Sequence, residues 1–214
     1  MPPPSKISKD MILNAVLKIT RENGFAAVNA RSIAGGLQCS TRPIFTCYEN
    51  MDALKSEFLA FAYKYFEHYV ADYRHSAGVT SALLPPLSYI GFAREEPHLF
   101  ELLFIKDMAL EMAESKDFYK EEDNEKRAAA FSKAIGVEAA RAKAIFLDLF
   151  LYSHGIAVLT ATKKMALDEK SAEKMLRSAL SAFLRQEDPE EDFSLGDDVP
   201  LKGARRTVWK RTDT

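Results

Sequence analysis

The sequence has few of the features that mark secreted, zinc-binding or membrane-spanning proteins. Cys39 and Cys47 are its two cysteines, too few for a disulfide scaffold and without the second ligand pair of a structural zinc site. Residues 1–6 lack the apolar core of a signal peptide. The longest apolar region, 145–159, is shorter than the roughly 20 residues that cross a bilayer. We therefore expect a soluble, cytoplasmic protein without a membrane partner.

Strand patterns are also scarce. Alternation of apolar and polar residues is nearly absent, whereas apolar residues recur at spacings of three and four, which is typical of helices. The pattern predicts an all-α fold, in which α-helices make up both the N-terminal and the C-terminal parts. The predicted helices cover residues 8–23, 30–37, 41–48, 51–74, 80–95, 97–106, 117–133, 137–164 and 170–186.

Local signals set several helix ends. Gly24 is predicted to stop the first helix, Asn29 to cap the second and Ser40 to cap the third. Pro43 then falls in the first turn of the third helix, where a missing N–H costs little. The pair Pro85-Pro86 is expected to bend or interrupt the helix at 80–95, and Pro97 to begin the next one.

Charge and spacing divide the chain into three predicted parts. Residues 1–50 hold six basic and three acidic side chains although the whole chain has a net charge of -2, so positive charge concentrates at the N-terminus. Their two short helices and the turn between them predict a helix-turn-helix DNA-binding domain. We expect residues 51–186 to form a C-terminal helical part, and residues 187–214 a charged, flexible tail.

The N-terminal pattern resembles the DNA-binding domain of TetR/AcrR-type transcriptional regulators. The resemblance covers about residues 8–58 and rests on the run IAGGLQCSTRPIFTCY from Ile33 to Tyr48, followed by Asp52 and Leu54. The segments 96–104 and 152–157 are similar to parts of that family's regulatory domains. The resemblance implies that the chain is a transcriptional repressor that binds a pseudo-palindromic double-stranded DNA operator as a homodimer and responds to a small-molecule effector.

Several positions depart from the family pattern. Gln38 stands where the turn usually has glycine, and a non-glycine residue in the left-handed region costs about 1 kcal/mol. Phe45, Cys47 and Met51 replace the usual Tyr, His and Lys at positions that commonly contact phosphate. Each change removes a polar donor, so DNA binding should depend more on backbone N–H groups and on the remaining basic and hydroxyl side chains.

The resemblance and the residue chemistry together give a set of candidate DNA contacts. Arg42 can bond guanine O6 and N7 in the major groove, or else only phosphate, and Thr41 and Pro43 can meet a thymine methyl while Ile44 packs inward. The full set is Lys6, Lys9, Arg31, Ser32, Ser40, Thr41, Arg42, Pro43, Phe45, Thr46 and Tyr48.

The C-terminal part should dimerise and sense an effector if the resemblance holds. An apolar stripe on the last two helices is either a dimer interface or an internal core stripe; it comprises Tyr152, Gly155, Leu159, Met175, Leu176, Ala179 and Phe183. Large apolar side chains either line a pocket for an apolar effector or simply fill the core; they are Phe61, Phe92, Phe104, Met108, Met112, Tyr119, Phe146 and Phe150. His154 either orients the effector or is a core histidine bonded to a backbone carbonyl.

Enzyme chemistry finds little support in the sequence. Glu95-Glu96-Pro97-His98 has one Glu-x-x-His spacing, but di-iron bundles need two such motifs and two more glutamates. We expect no enzymatic activity, no metal site and no cofactor. The alternative function is a helical-bundle small-molecule-binding protein whose DNA binding is weak or lost.

Overall fold

The computed structural model describes residues 7–76, 82–106, 112–120 and 122–185. Within these ranges the regular elements are helices, and no strand is present. The predicted all-α fold is confirmed. The helices are α1 (Lys9–Asn23), α2 (Ala30–Gly36), α3 (Arg42–Cys47), α4 (Met51–Ser76), α5 (Leu84–Glu95), α6 (Pro97–Glu101), α7 (Glu122–Ile135), α8 (Ala139–Ala161) and α9 (Glu169–Phe183). Short 3-10 helices cover Phe25–Ala27 and Ser115–Lys120, and a π-helical turn covers Leu102–Lys106.

Capping side chains set the first helix ends largely as predicted. Gly24 follows α1 with φ of 79°, a conformation that glycine adopts without strain. The Asn29 side chain accepts hydrogen bonds from Arg31 N and Ser32 N, and the Ser32 hydroxyl accepts one from Asn29 N, which completes a capping box at α2. Gln38 has φ of 52°, so the predicted left-handed turn residue is confirmed.

The start of α3 corrects one prediction. The Thr41 carbonyl accepts hydrogen bonds from Ile44 N and Phe45 N, so Thr41 is the N-cap and Ser40 lies one residue outside the helix. The predicted capping role of Ser40 is therefore wrong. Pro43 does lie in the first turn, as predicted, where its missing N–H leaves no helical carbonyl unpaired.

One continuous core joins the N-terminal helices to the rest of the chain through α4. Ile12 of α1, Ile33 of α2 and Ile44 of α3 are fully buried together with Leu54 at the start of α4. Farther along α4, Phe58 stacks on Phe25 with ring centroids 5.6 Å apart and is fully buried too. Helix α4 therefore holds α1, α2 and α3 against the helical bundle that follows.

In the C-terminal part, α5 packs against α4, α8 and α9. Pro85 and Pro86 lie in the first turn of α5 and do not bend it, because the helix begins at Leu84; residues 77–81 lie outside the described ranges. Pro97 begins α6 as predicted, but α6 gives way to the π-helical turn at Leu102. The predicted helix at 117–133 is likewise divided between a 3-10 helix and α7.

Helix α8 is apolar on nearly all sides. By length and composition α8 could cross a membrane, because its most apolar 18-residue window has a mean hydropathy of 1.6. The core helix of a soluble protein can be equally long and apolar. Only 39% of that window is buried within the chain. Much of its apolar surface therefore faces outward. The predicted tail, 187–214, lies outside the described residues.

Candidate functional site

The outward face of α3 is composed of Arg42, Phe45 and Thr46, all three exposed. Ile44 and Tyr48 point the other way, with 0% and 4% exposure. Phe45 is 48% exposed, although it is the largest apolar side chain of α3. Arg42 makes no ion pair or hydrogen bond through its guanidinium to any residue of the described ranges, so its donors are free for a partner.

Two polar groups of α3 are occupied by the protein itself. The Thr46 hydroxyl donates to the Arg42 carbonyl at 3.0 Å, which leaves its methyl group and oxygen lone pairs outward. The half-buried Cys47 thiol donates to the Ile7 carbonyl with a sulfur-to-oxygen distance of 3.8 Å. The exposed face of this helix is therefore mainly apolar around one cation.

Other candidate DNA contacts surround that face. Arg31 is exposed on α2, and Ser40 is exposed in the turn before α3, while Thr41 and Pro43 are half-buried. The Ser32 hydroxyl is within 2.9 Å of the Ala27 and Asn29 carbonyls and accepts from Asn29 N, so its hydrogen bonds go to the cap of α2.

The structure corrects the candidate role of Tyr48 and changes that of Lys9. The Tyr48 hydroxyl oxygen is buried within the described part of the chain, so it does not face phosphate. Burial, with the nearby Glu57 carboxylate, raises the pKa of Tyr48 to about 12. The Lys9 ammonium is 2.7 Å from Glu57 and 4.7 Å from the centre of the Tyr48 ring, so it is already paired. Lys6 lies outside the described residues.

The buried carboxylate of Glu96 joins the helix-turn-helix unit, α1 to α3, to the bundle formed by α4 to α9. Arg21 of α1 donates two hydrogen bonds to Glu96, at 2.7 Å from Nε and 2.6 Å from Nη2, and Tyr65 of α4 donates a third at 3.1 Å. The Glu96 side chain is 8% exposed and that of Arg21 47%. The hydrogen bond to Glu96 raises the pKa of Arg21, and burial raises the pKa of Tyr65.

The predicted effector residues fall into two neighbouring aromatic groups and one outlier. Phe104 packs on Phe66, Tyr89 and Phe100, with ring centroids 4.9 to 5.3 Å apart. A second group contains Phe146 and Phe150 of α8 together with Phe118 and Tyr119.

Two of the predicted effector positions are corrected. Phe92 is 0% exposed and is closely packed by Phe66 and Tyr69, so it fills the core, the alternative that the sequence left open. Phe61 stacks on Phe58 beside the helix-turn-helix unit, away from both groups. Met112 is half-buried, and Met108 lies outside the described residues.

His154 lies between the two aromatic groups. Its Nδ1 is 2.9 Å from the Tyr89 hydroxyl, and its ring stacks on Phe150 with centroids 5.8 Å apart. The partner of His154 is thus a tyrosine, and the expected backbone carbonyl is not involved. Burial lowers the pKa of His154 and raises that of Tyr89, which favours a neutral imidazole whose Nδ1 accepts a hydrogen bond from the Tyr89 hydroxyl. The proton of the neutral ring is then on Nε2, which has no hydrogen-bond partner in the described part of the chain.

On the outward side of α8, exposed apolar side chains adjoin half-buried apolar side chains of α9, whose own exposed residues are mostly polar or charged. On α8, Leu151, Tyr152 and Leu159 are 50%, 36% and 41% exposed, and nothing lies within 4 Å of a Cβ built on Gly155. An open groove of about 590 Å³ adjoins this surface; its lining residues are Tyr152, Ser171, Lys174, Met175, Ser178, Ala179 and Phe183. The predicted interface role of Leu176 is wrong, because it faces inward with 0% exposure.

Comparison with solved structures identifies the architecture. The chain has the TetR-like fold. A TetR-like transcriptional regulator from Rhodococcus sp. RHA1 matches with a TM-score of 0.58 over 85% of this chain and 98% of that one, at 14% sequence identity. No protein-family model matches the sequence, and no curated protein does.

Within this TetR-like fold, sequence reasoning missed the partners that join distant segments. Arg21 and Glu96 are 75 residues apart, and Tyr89 and His154 are 65 apart. Glu96 was noted only for its spacing to nearby residues, and Tyr89 gave no signal beyond an apolar helical pattern. Across the described ranges no group of three or more His, Cys, Asp or Glu side chains could hold a metal ion.

Proposed function

We propose that the chain is a dimeric, sequence-specific DNA-binding transcriptional regulator that acts as a repressor under the control of a small apolar effector. The observation that carries the proposal is the outward face of α3, where the exposed Arg42 guanidinium has no partner among the described residues while Ile44 and Tyr48 anchor the helix in the core. Helix α3 is the second helix of the helix-turn-helix, and a helix presented in this way can enter the major groove of DNA. The likeness to a TetR-like regulator supports the same conclusion.

Dimerisation would occur through the apolar surface of α8 and α9. An exposed stripe of this kind is costly in a monomer, and a second copy related by a two-fold axis covers it with the same stripe. The two recognition helices would then face half-sites about 34–36 Å apart, one helical turn of DNA. The operator is therefore expected to be a pseudo-palindrome.

Effector binding would take place around His154. The aromatic rings supply apolar walls, and the Nε2–H of a neutral His154 supplies a donor that can orient a ligand with an acceptor atom. The π-helical turn that carries Phe104 is a backbone irregularity often found at functional sites. An effector that binds one arrangement of the subunits more tightly shifts the population toward it and changes operator affinity.

A specific observation keeps the second candidate, a bundle that binds small molecules without strong DNA binding. The face of α3 offers one cation, Lys9 is paired with Glu57, and the Tyr48 hydroxyl is buried. Phosphate contacts provide much of the affinity of DNA-binding proteins, so their loss weakens binding to every sequence.

Selection from a library of random duplexes at physiological ionic strength separates the two candidates. An enriched palindrome supports the regulator, and the logarithm of its affinity must then fall linearly with the logarithm of salt concentration. A folded, dimeric protein that enriches no sequence contradicts the regulator and supports the ligand-binding bundle.

Arg42→Ala then tests base readout within the regulator. A guanine-reading arginine contributes about 1–3 kcal/mol of discrimination, so the variant must lose more affinity for the operator than for scrambled DNA. Equal losses on both duplexes would assign Arg42 to phosphate. Arg127→Ala on α7 is a matched control, because it removes an exposed arginine from a helix outside both the DNA-binding helices and the proposed dimer surface.

A further inference from the structure

We propose that α3 reads thymine through its 5-methyl group and that Phe45 is the side chain that does so. This inference rests on the proposed function and deepens it, because it names the base chemistry that the recognition helix selects. The face concerned is the outward one of α3, defined above by Arg42, Phe45 and Thr46.

The first step is the exposure of Phe45. Its neighbours Ile44 and Tyr48 are in the core, yet 48% of Phe45 is exposed, and no aromatic ring of the described residues packs on it. Leaving a phenyl ring in water forgoes the hydrophobic stabilisation that its burial would provide. The ring offers carbon surface and no hydrogen bond, so its partner must present carbon surface as well.

The second step is the chemistry around the ring. The Thr46 hydroxyl donates to the Arg42 carbonyl. The carbon surface that Thr46 contributes to the outward face is therefore its methyl group. In the major groove, the carbon group at a base edge is the C5-methyl of thymine, and the other three bases present no methyl group there. A phenyl ring over that methyl buries carbon against carbon, a contact that a base without the methyl does not offer.

The third step is charge and spacing, which favour duplex DNA as the occupant of this face. The free guanidinium of Arg42 lies three residues before Phe45, so the two side chains share one side of the helix with Cβ atoms about 5–6 Å apart. Base pairs are stacked at about 3.4 Å, so the two side chains reach positions one or two base pairs apart. Each half-site should therefore contain a thymine and, where Arg42 reads guanine, that guanine within two base pairs of it.

The experiment replaces thymine by uracil in the selected operator. Uracil keeps every hydrogen-bonding group of thymine and lacks only the methyl. The wild-type dimer is expected to lose about fourfold in affinity for each methyl in contact, from ~0.8 kcal/mol per buried carbon group at 1.4 kcal/mol per tenfold. Two half-sites bring the expected loss to about tenfold or more if the contacts add.

Variants assign the effect to Phe45. Phe45→Ala should bind the thymine operator more weakly than wild type does and should no longer distinguish thymine from uracil. Met11→Ala is the matched control: it truncates a large apolar side chain, 38% exposed, on α1, and should keep the full discrimination. The thermal unfolding of each variant, followed by circular dichroism, checks that it is folded.

The uracil comparison on the wild-type protein needs no variant, so it stands even if Phe45→Ala fails to fold. Equal affinity for the two operators would overturn the inference, as would an enriched half-site without thymine. Discrimination retained by a folded Phe45→Ala would overturn the assignment to Phe45. Failure to enrich any operator would instead refute the proposed function itself, together with this inference.

Discussion

The ion pair between Arg21 and Glu96 gives the sharpest test of how the helix-turn-helix unit is held on the bundle. Three hydrogen bonds converge on a carboxylate that is 8% exposed, two from Arg21 and one from Tyr65. Arg21→Ala would leave that carboxylate buried with the tyrosine as its remaining donor. We predict that this variant loses more stability than an exposed ion pair can provide.

The magnitude follows from burial on the two sides of the pair. A hydrogen bond to a charged group contributes about 1.5–3 kcal/mol, whereas an exposed ion pair contributes ~1 kcal/mol or less because water screens it. Arg21 is half-exposed, so we expect Arg21→Ala to lower the free energy of unfolding by about 2 kcal/mol. The coupling energy in a double-mutant cycle with Glu96→Gln should be about 1–2 kcal/mol.

Urea unfolding of the wild type, the two single variants and the double variant measures this coupling. Arg177 and Glu173 on α9 provide a matched cycle, because Arg177 is 50% exposed, similar to Arg21, while Glu173 is 29% exposed. That control pair should couple by about 0.3–0.5 kcal/mol, as i,i+4 pairs do. A junction coupling no larger than the control would refute the argument that the buried carboxylate makes this pair strong.

Three further predictions concern single positions. Gly155→Ala should stabilise the isolated chain by about 0.5–1 kcal/mol, because alanine has the higher helix propensity. It should also weaken the proposed dimer in sedimentation equilibrium, because the added Cβ of Ala would face the partner subunit, and unchanged association would argue against this interface. Gln38→Gly should raise the free energy of unfolding in urea by about 0.5–1 kcal/mol by relieving the strain at φ of 52°, and a loss would show that the side chain supports the turn. Burial lowers the pKa of His154, so the unfolded chain binds this proton more readily and stability must fall as pH drops below 6.5; His154→Gln should flatten that slope, and an unchanged slope would contradict the assignment to His154.

The sequence predicted the features that depend on neighbouring residues. The turn at Gln38, the cap at Asn29 and the stop at Gly24 follow from backbone conformation and short side chains, which act within three or four residues. The exposed face of α3 followed from helical periodicity in the same way. Ser40 was misplaced by one residue because the carbonyl of Thr41, not that of Ser40, begins the helical hydrogen bonding.

The features that the sequence did not predict depend on which faces meet. Periodicity assigns a side chain to one side of its helix but does not say which distant helix lies there. Leu176 and Phe92 were placed at an interface and in a pocket for this reason, although both fill the core of the chain. The hydrogen bond between Tyr89 and His154 joins two apolar segments whose patterns are indistinguishable from ordinary core helices.

The short helix α6 connects the two ends of the proposed regulation. Phe100 on α6 is fully buried beside His154, with ring centroids 6.4 Å apart, and its backbone N–H donates to the carbonyl of Glu96. A ligand that displaces Phe100 would therefore act on the residue that holds Arg21. A junction worth about 1–2 kcal/mol corresponds to a change of about 5- to 30-fold in an equilibrium constant. This is the part of the effector response that can pass through the Arg21–Glu96 contact, and a larger measured response requires a second route between the effector site and α3.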